Sequence, residues 1–262
     1  MMRLGEQGRS AVTAAAAVLA LAATACAVNS GPPQYDVVRR LRHDTGAYTQ
    51  GLVYAAGRMY ESTGRLGLSQ LRQLDPATGA LEAHVELPAD RFGEGLALLG
   101  GKLYQLTWKS EVGYVYDAMT LALEDSFNYA GEGWGLATDG NALIMSDGTA
   151  SLRVLDPETF QVTREVTVTD GGLPLSQINE LEYINGELFA NVYRSDRIVR
   201  IDPETGEVLA WIDMEGLLDP SERTAATDVL NGIAFDEATG HLFVTGKLWP
   251  WMFEIRVHGL QD

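Results

Sequence analysis

Residues 94–108, EGLALLGGKLYQLTW, hold two short apolar runs separated by Gly100-Gly101, the pattern of a strand, a tight turn and a second strand. The opening of this stretch, a lead residue followed by a small residue or Glu and then by Leu or Ile, recurs along the chain. It stands at Gln50-Gly51-Leu52, Glu94-Gly95-Leu96, Trp134-Gly135-Leu136, Asn179-Glu180-Leu181 and Asn231-Gly232-Ile233. The lead residues are 44, 40, 45 and 52 positions apart. Each is followed by a turn glycine (Gly57, Gly101, Gly140, Gly186, Gly240) and by a second strand such as KLYQLTW or HLFVTGK. Outer strands then carry the turns LDPATG (74–79), LDPETF (155–160) and IDPETG (201–206), with MTLALE (119–124) in the same place in the second unit.

Strand-only units of this length are the signature of propeller blades. A single four-stranded unit leaves both faces bare, so the units stack around an axis. The sequence therefore predicts an all-β, five-bladed β-propeller over residues 35–262; the alternative is a β-sandwich with accidental repeats. The stretch YDVVRRLR (35–42) has no unit of its own. It is expected to supply the outer strand of the last blade, closing the ring and removing an open edge.

The innermost strand of each blade starts near the lead residue and reaches the turn glycine six to nine residues later, ~20–30 Å at 3.3 Å per residue. The second strand returns antiparallel, so its end meets the lead residue on one face. Two rings of side chains then surround one mouth of the channel: Gln50, Glu94, Trp134, Asn179 and Asn231, and Gly64, Trp108, Asp147, Tyr193 and Lys247. Tyr48 and Phe92 flank them, and Asp147 reads as a turn residue in Ser146-Asp147-Gly148. Apolar walls with a few convergent polar groups describe a small-molecule or chain-end pocket. Among Phe92, Trp108 and Trp134, the Glu94 carboxyl is expected to be raised in pKa and to suit general acid–base work, with Lys247 neutralising it or stabilising an oxyanion.

Composition narrows the field. Thirty-six acidic against nineteen basic residues give a formal charge of −17, which repels phosphate backbones, so no nucleic-acid partner is expected. The single Cys26 excludes an intrachain disulfide, and the four scattered histidines show no metal-ligand spacing. Residues 12–25, VTAAAAVLALAATA, follow Arg3 and Arg9 and match the apolar segment of a secretory signal. LAATAC (21–26) resembles a bacterial lipoprotein box, in which Cys26 is lipidated; ordinary cleavage after Ala25 fits the same residues. Residues 1–25 are thus read as a signal peptide and 26–34 as a lipidated or flexible tether. The expected product is an exported monomer that meets the membrane only through a lipid on Cys26.

The ordered motifs Tyr48-Thr49-Gln50-Gly51-Leu52, Phe92-Gly93-Glu94-Gly95, Gly133-Trp134-Gly135-Leu136, Asn179-Glu180-Leu181-Glu182, Leu230-Asn231-Gly232-Ile233-Ala234 and Thr245-Gly246-Lys247-Leu248-Trp249-Pro250 resemble those of the plant and bacterial type of glutaminyl-peptide cyclotransferase. The resemblance runs from about residue 36 to residue 257. It implies a five-bladed propeller that cyclises an N-terminal glutamine of peptides or proteins to pyroglutamate, releasing ammonia without a catalytic metal. It assigns the catalytic glutamate to Glu94 and pocket roles to Gln50, Phe92, Trp108, Trp134, Asn179 and Lys247. Tyr48 stands where phenylalanine is usual and Tyr193 where tryptophan is usual. It also admits a structural calcium ion on the propeller axis, not needed for the chemistry.

For that reaction the expected oxyanion donors are Lys247, Asn179 and the Trp134 indole N–H. Gln50 is expected to hold the first peptide group, with Tyr48, Phe92, Trp108, Tyr193 and Asn231 binding substrate. The lengthened fourth repeat, DMEGLLDPSERTAATD (213–228), is expected as a loop beside the mouth. Two rivals share the rim. A non-catalytic propeller binding peptide N-termini or another small ligand has no need of both Glu94 and Lys247. A metal-dependent hydrolase needs several carboxylates or histidines around an ion, which Glu94 and Asp147 do not supply.

Overall fold

In the computed structural model, Met1 and residues 34–260 are described. The signal segment, Cys26 and all of the tether before residue 34 lie outside them. The described chain is strand and turn, with one 3₁₀ turn at Pro220–Glu222 and no α-helix. Five four-stranded antiparallel sheets form five blades. The first four blades are each made of consecutive strands, with innermost strands Thr49–Ala55, Gly93–Leu99, Leu136–Thr138 and Ile178–Ile184. The fifth places Leu230–Asp236 innermost, then His241–Gly246 and Trp251–Val257. Its outermost strand is the N-terminal Tyr35–Arg42, paired from Tyr35 with Val257 to Arg42 with Trp251. The ring is therefore closed by the N-terminal strand, as the repeat count requires.

Successive residues of the innermost strands are apolar on both faces, because each face packs on a different neighbour. Leu52 joins Met59, Leu74, Ala234 and Phe243 between the first and fifth blades, whereas the adjacent Val53 joins Leu96 and Leu103 between the first and second. Three further clusters fill the remaining interfaces. Tyr104, Phe127 and Met145 lie in one, Ile144, Leu181 and Val199 in the next, and Phe189, Ile233 and Phe253 in the last. The outer strands reverse this pattern: Leu81–Glu86 is almost wholly exposed.

The small residue after each lead residue is set by crowding at the axis. A Cβ at Gly51 would lie 2.5 Å from the Leu96 nitrogen, at Gly95 2.4 Å from the Leu136 nitrogen, and at Gly135 2.0 Å from the Asn179 carbonyl oxygen. The fourth blade carries Glu180 instead. The buried Glu180 carboxyl reaches the innermost strands of two other blades, accepting from the backbone N–H of Leu52 (3.2 Å) and of Ile233 (2.9 Å). Because the obstruction at Gly135 is backbone, Gly135→Ala is expected to destabilise by at least the ~1–3 kcal/mol typical of overpacking. A denaturant midpoint unchanged from wild type would refute that account.

Candidate active site

The lead residues owe their direction to irregularities in the ladder. In four blades the register of the two inner strands shifts at that position: between Thr49 and Gly51, Gly93 and Leu96, Ile178 and Leu181, and Leu230 and Ile233. A bulge re-aims a side chain that regular alternation would bury in a blade interface. In the third blade the strand begins only at Leu136, and Trp134 is held by a backbone bond from its N–H to the Ser146 carbonyl. The second ring follows directly after the returning strands, which end at Thr63, Thr107, Ser146, Val192 and Gly246.

Together these positions enclose a cavity of about 400 Å³ lined by Tyr48, Gln50, Arg65, Phe92, Glu94, Trp108, Trp134, Asn179, Tyr193 and Lys247. Its walls are aromatic: Phe92 lies 5.7 Å from Trp108 and 6.1 Å from Tyr48, and Trp134 meets Tyr193 edge-on at 5.6 Å. Gly64 is bare because Phe92 fills its space; a Cβ there would sit 2.2 Å from the ring. A larger hollow of about 820 Å³ includes turn residues Ala55–Gly57 and carboxyls such as Glu182 and Glu237, but no basic or amide side chain.

Glu94 is the one carboxyl lining the smaller cavity. It is buried, and Gln50 Nε2 donates to its Oε1 at 3.0 Å. Burial pushes its pKa well above the carboxylate range; Lys247 opposes this and Glu132 reinforces it. Lys247 is buried too. Desolvation draws its pKa down against the pull of Glu94 and Asp228. Its Nζ lies 4.9 Å from the Tyr48 ring centre and 5.4 Å from that of Tyr193, and it makes no hydrogen bond or ion pair among the described residues. The Asn179 side chain is similarly uncommitted, with a buried Oδ1 that has no partner. An ammonium and an amide held without partners beside a buried acid are placed to receive a ligand's polar atoms.

The chain matches known proteins over most of its length. A sequence model of the family described as "Glutamine cyclotransferase" aligns with residues 11–257. The chain belongs to the glutamine cyclotransferase family. A glutaminyl-peptide cyclotransferase of Arabidopsis thaliana is 45% identical over 230 residues, covering 86% of this chain and 71% of that protein. The crystal structure of Myxococcus xanthus glutaminyl cyclase superposes with a TM-score of 0.81 at 39% identity, over 85% of this chain and 96% of that one.

Three assignments change when the cyclotransferase site is built from its contacts. The Trp134 indole N–H, expected as an oxyanion donor, is donated to Glu132 Oε2 at 3.0 Å, and the Trp108 N–H reaches the same oxygen at 2.7 Å. Both tryptophans are therefore walls set by one rim carboxylate. Asn231 does not line the cavity. It is buried behind Gln50, donating to the Thr49 carbonyl at 2.9 Å and to Gln50 Oε1 at 3.4 Å. Gln50, held by Asn231 and donating to Glu94, is committed to orienting the acid rather than free for a peptide group. Asp147 caps its own turn through the Thr149 N–H and hydroxyl, as expected of a turn residue.

Arg65, Glu132 and Asp228, the last accepting from the Tyr48 hydroxyl at 2.9 Å, were missed because they stand outside the repeat positions. Asp228 ends the lengthened 213–228 segment and brings it to the pocket wall. Among the described residues no three His, Cys, Asp or Glu side chains gather to hold a metal. Calcium takes 6–8 oxygen ligands, whereas both oxygens of the buried Glu180 are already engaged by N–H groups. Glu180 therefore offers the expected axial calcium no free carboxylate oxygen.

Proposed function

We propose that this cyclotransferase converts an N-terminal glutamine of peptides or proteins into pyroglutamate, releasing ammonia, with Glu94 as a single proton shuttle and no catalytic metal. The observation that carries this reading is the placement of one buried carboxyl in an aromatic cavity that also holds the unpaired Lys247 ammonium and the Asn179 amide. In the reaction the α-amine nitrogen bonds to the γ-carboxamide carbon, and the bond from that carbon to the amide nitrogen breaks. The α-amine gives up a proton and the leaving nitrogen gains one. A single carboxylate within reach of both nitrogens takes the first proton and returns it.

The raised pKa of Glu94 suits this exchange. An α-ammonium has a pKa of ~7.7–8.0, so an ordinary carboxylate would be a poor acceptor for its proton. Moving Glu94 toward that range brings the transfer closer to energetic balance. The tetrahedral oxyanion falls to the Lys247 ammonium and the Asn179 amide, neither of which donates a hydrogen bond among the described residues. Phe92, Trp108, Trp134 and Tyr193 confine the side chain in the bent conformer that brings amine and amide together, which is much of the work of an intramolecular reaction.

The test is ammonia release from a peptide amide beginning with Gln, with and without a strong chelator. Release is expected at the same rate in both. Loss of release on chelation, restored by added metal, would overturn the metal-free mechanism. No release by the folded protein would leave the rim a binding site for peptide ends.

A further inference from the structure

Around the mouth, the cations differ in how they are paired. Lys109 lies over Trp108 and is paired with Glu132 at 3.3 Å. Arg153 is paired with Asp147. Arg65 lines the cavity, is exposed, and has no carboxylate partner among the described residues. Its guanidinium carbon lies 5.6 Å from the centre of the Tyr48 ring. Arg194, next to the lining residue Tyr193, has the same relation to that ring: it is 5.2 Å from its centre, exposed, and without a carboxylate partner among the described residues. Arg194 also holds a left-handed backbone, φ 64°, a conformation unusual for a residue with a side chain. Arg65 thus lines the pocket, and Arg194 directly follows the pocket residue Tyr193.

A guanidinium resting against an aromatic ring keeps its N–H fork free and pre-oriented. The cavity is about 400 Å³, enough for the glutamine itself, so the next residue of a peptide must pass over this rim. We propose that Arg65, with Arg194, forms a subsite for a carboxylate on the residue following the N-terminal glutamine, so that Gln-Glu and Gln-Asp termini are preferred substrates. This rests on the cyclisation reading of the same pocket. Of the neighbouring carboxylates, Glu132 is paired with Lys109 and shared by two indoles, and Asp228 is turned to the Tyr48 hydroxyl.

The experiment compares C-terminally amidated peptides beginning Gln-Glu and Gln-Gln, which differ only in charge at the second side chain. In wild type the kcat/KM ratio is expected to favour Gln-Glu by ~5–10-fold, the order of a charge-assisted contact at a partly exposed site. Arg65→Gln combined with Arg194→Gln should bring the ratio to about one. Arg65→Lys should recover only part of it, because the bidentate fork is lost. Binding of the same two peptides to Glu94→Gln protein separates this proposal from cyclisation itself. Turnover of both peptides at equal kcat/KM, with equal binding, removes the subsite and leaves the cyclase. Preferential binding of Gln-Glu without turnover by wild type removes the cyclase and leaves the subsite. Equal binding without turnover removes both.

Discussion

Glu94→Gln is expected to lower ammonia release by ~10²–10⁴-fold, the range for one acid–base group, and to raise the thermal midpoint of the folded protein at neutral pH. The two effects have one cause. The Glu94 pKa is raised by burial, so the folded state holds its proton to a higher pH than the unfolded chain does. As pH rises above the ordinary carboxylate value of 4.5, the unfolded chain gains by ionising Glu94 while the folded protein does not. Stability is lost through that window until the raised pKa is passed. Glutamine has no such proton to lose, and its side-chain oxygen can still accept from Gln50. The stability gap between variant and wild type should thus grow from pH 4 toward neutrality and vanish in acid. A variant that keeps wild-type turnover would remove Glu94 from the chemistry. One that loses turnover and is also less stable at pH 7 would show that burial does not disfavour the ionised carboxyl.

The largest expected loss of stability is at Glu61, away from the pocket. This carboxylate is fully buried and accepts from the Thr49 hydroxyl (2.6 Å), His43 Nε2 (2.9 Å) and Arg72 Nη1 (3.1 Å). Arg72 goes on to Asp44 at 2.7 Å, and His43 Nδ1 faces the Trp249 carbonyl at 2.9 Å. Both His43 nitrogens meet acceptors, so the ring is a donor at each and carries a charge. Burial alone would lower the His43 pKa, but Glu61 and the carbonyl raise it. Burial would raise that of Glu61, but His43, Arg72 and Thr49 hold it down.

Glu61→Ala leaves buried His43 without its carboxylate and Arg72 with Asp44 alone, and is expected to cost ~3–5 kcal/mol, as for other broken buried pairs; Glu61→Gln should cost less. The sign with pH follows from the two directions. The His43 contribution is full below its unfolded value of 6.5 and is lost as pH rises through the raised folded value. That of Glu61 is full above 4.5 and is lost as pH falls through the lowered one. The difference between wild type and Glu61→Ala is therefore expected to peak between these values and to shrink on the alkaline side. A difference independent of pH would mean that packing, not charge, is what Glu61 supplies.

Blade number, closure and the pocket's ring of side chains were legible because each is written in a repeat. A lead residue, a small residue and an apolar pair recur because every blade meets the same crowded axis. What the repeat could not carry is what each equivalent position does. Asn179 and Asn231 occupy the same place in successive blades, yet one faces the cavity and the other props Gln50, since the neighbouring blade differs. The Glu132 carboxylate that engages the Trp134 N–H is two residues upstream, but the second indole on it, Trp108, comes from another blade. Arg65 sits in the turn after Gly64, with a role set by Tyr48 rather than by any spacing. The bulges at the lead residues left one signal, a glycine or glutamate where a β-branched residue would suit a regular strand.

The closing strand has a consequence for biosynthesis. Tyr35–Arg42 is among the first segments of the propeller to be made, and its partner Trp251–Val257 is the last. A growing chain can therefore complete up to four blades while its first strand waits, and the fifth exists only when Trp251–Val257 has emerged. Until then one sheet edge stays open and His43 has no Trp249 carbonyl to meet. Closure thus reports completion of the propeller: a product truncated before residue 251 keeps an unpaired edge and is a natural target for chaperones and proteases.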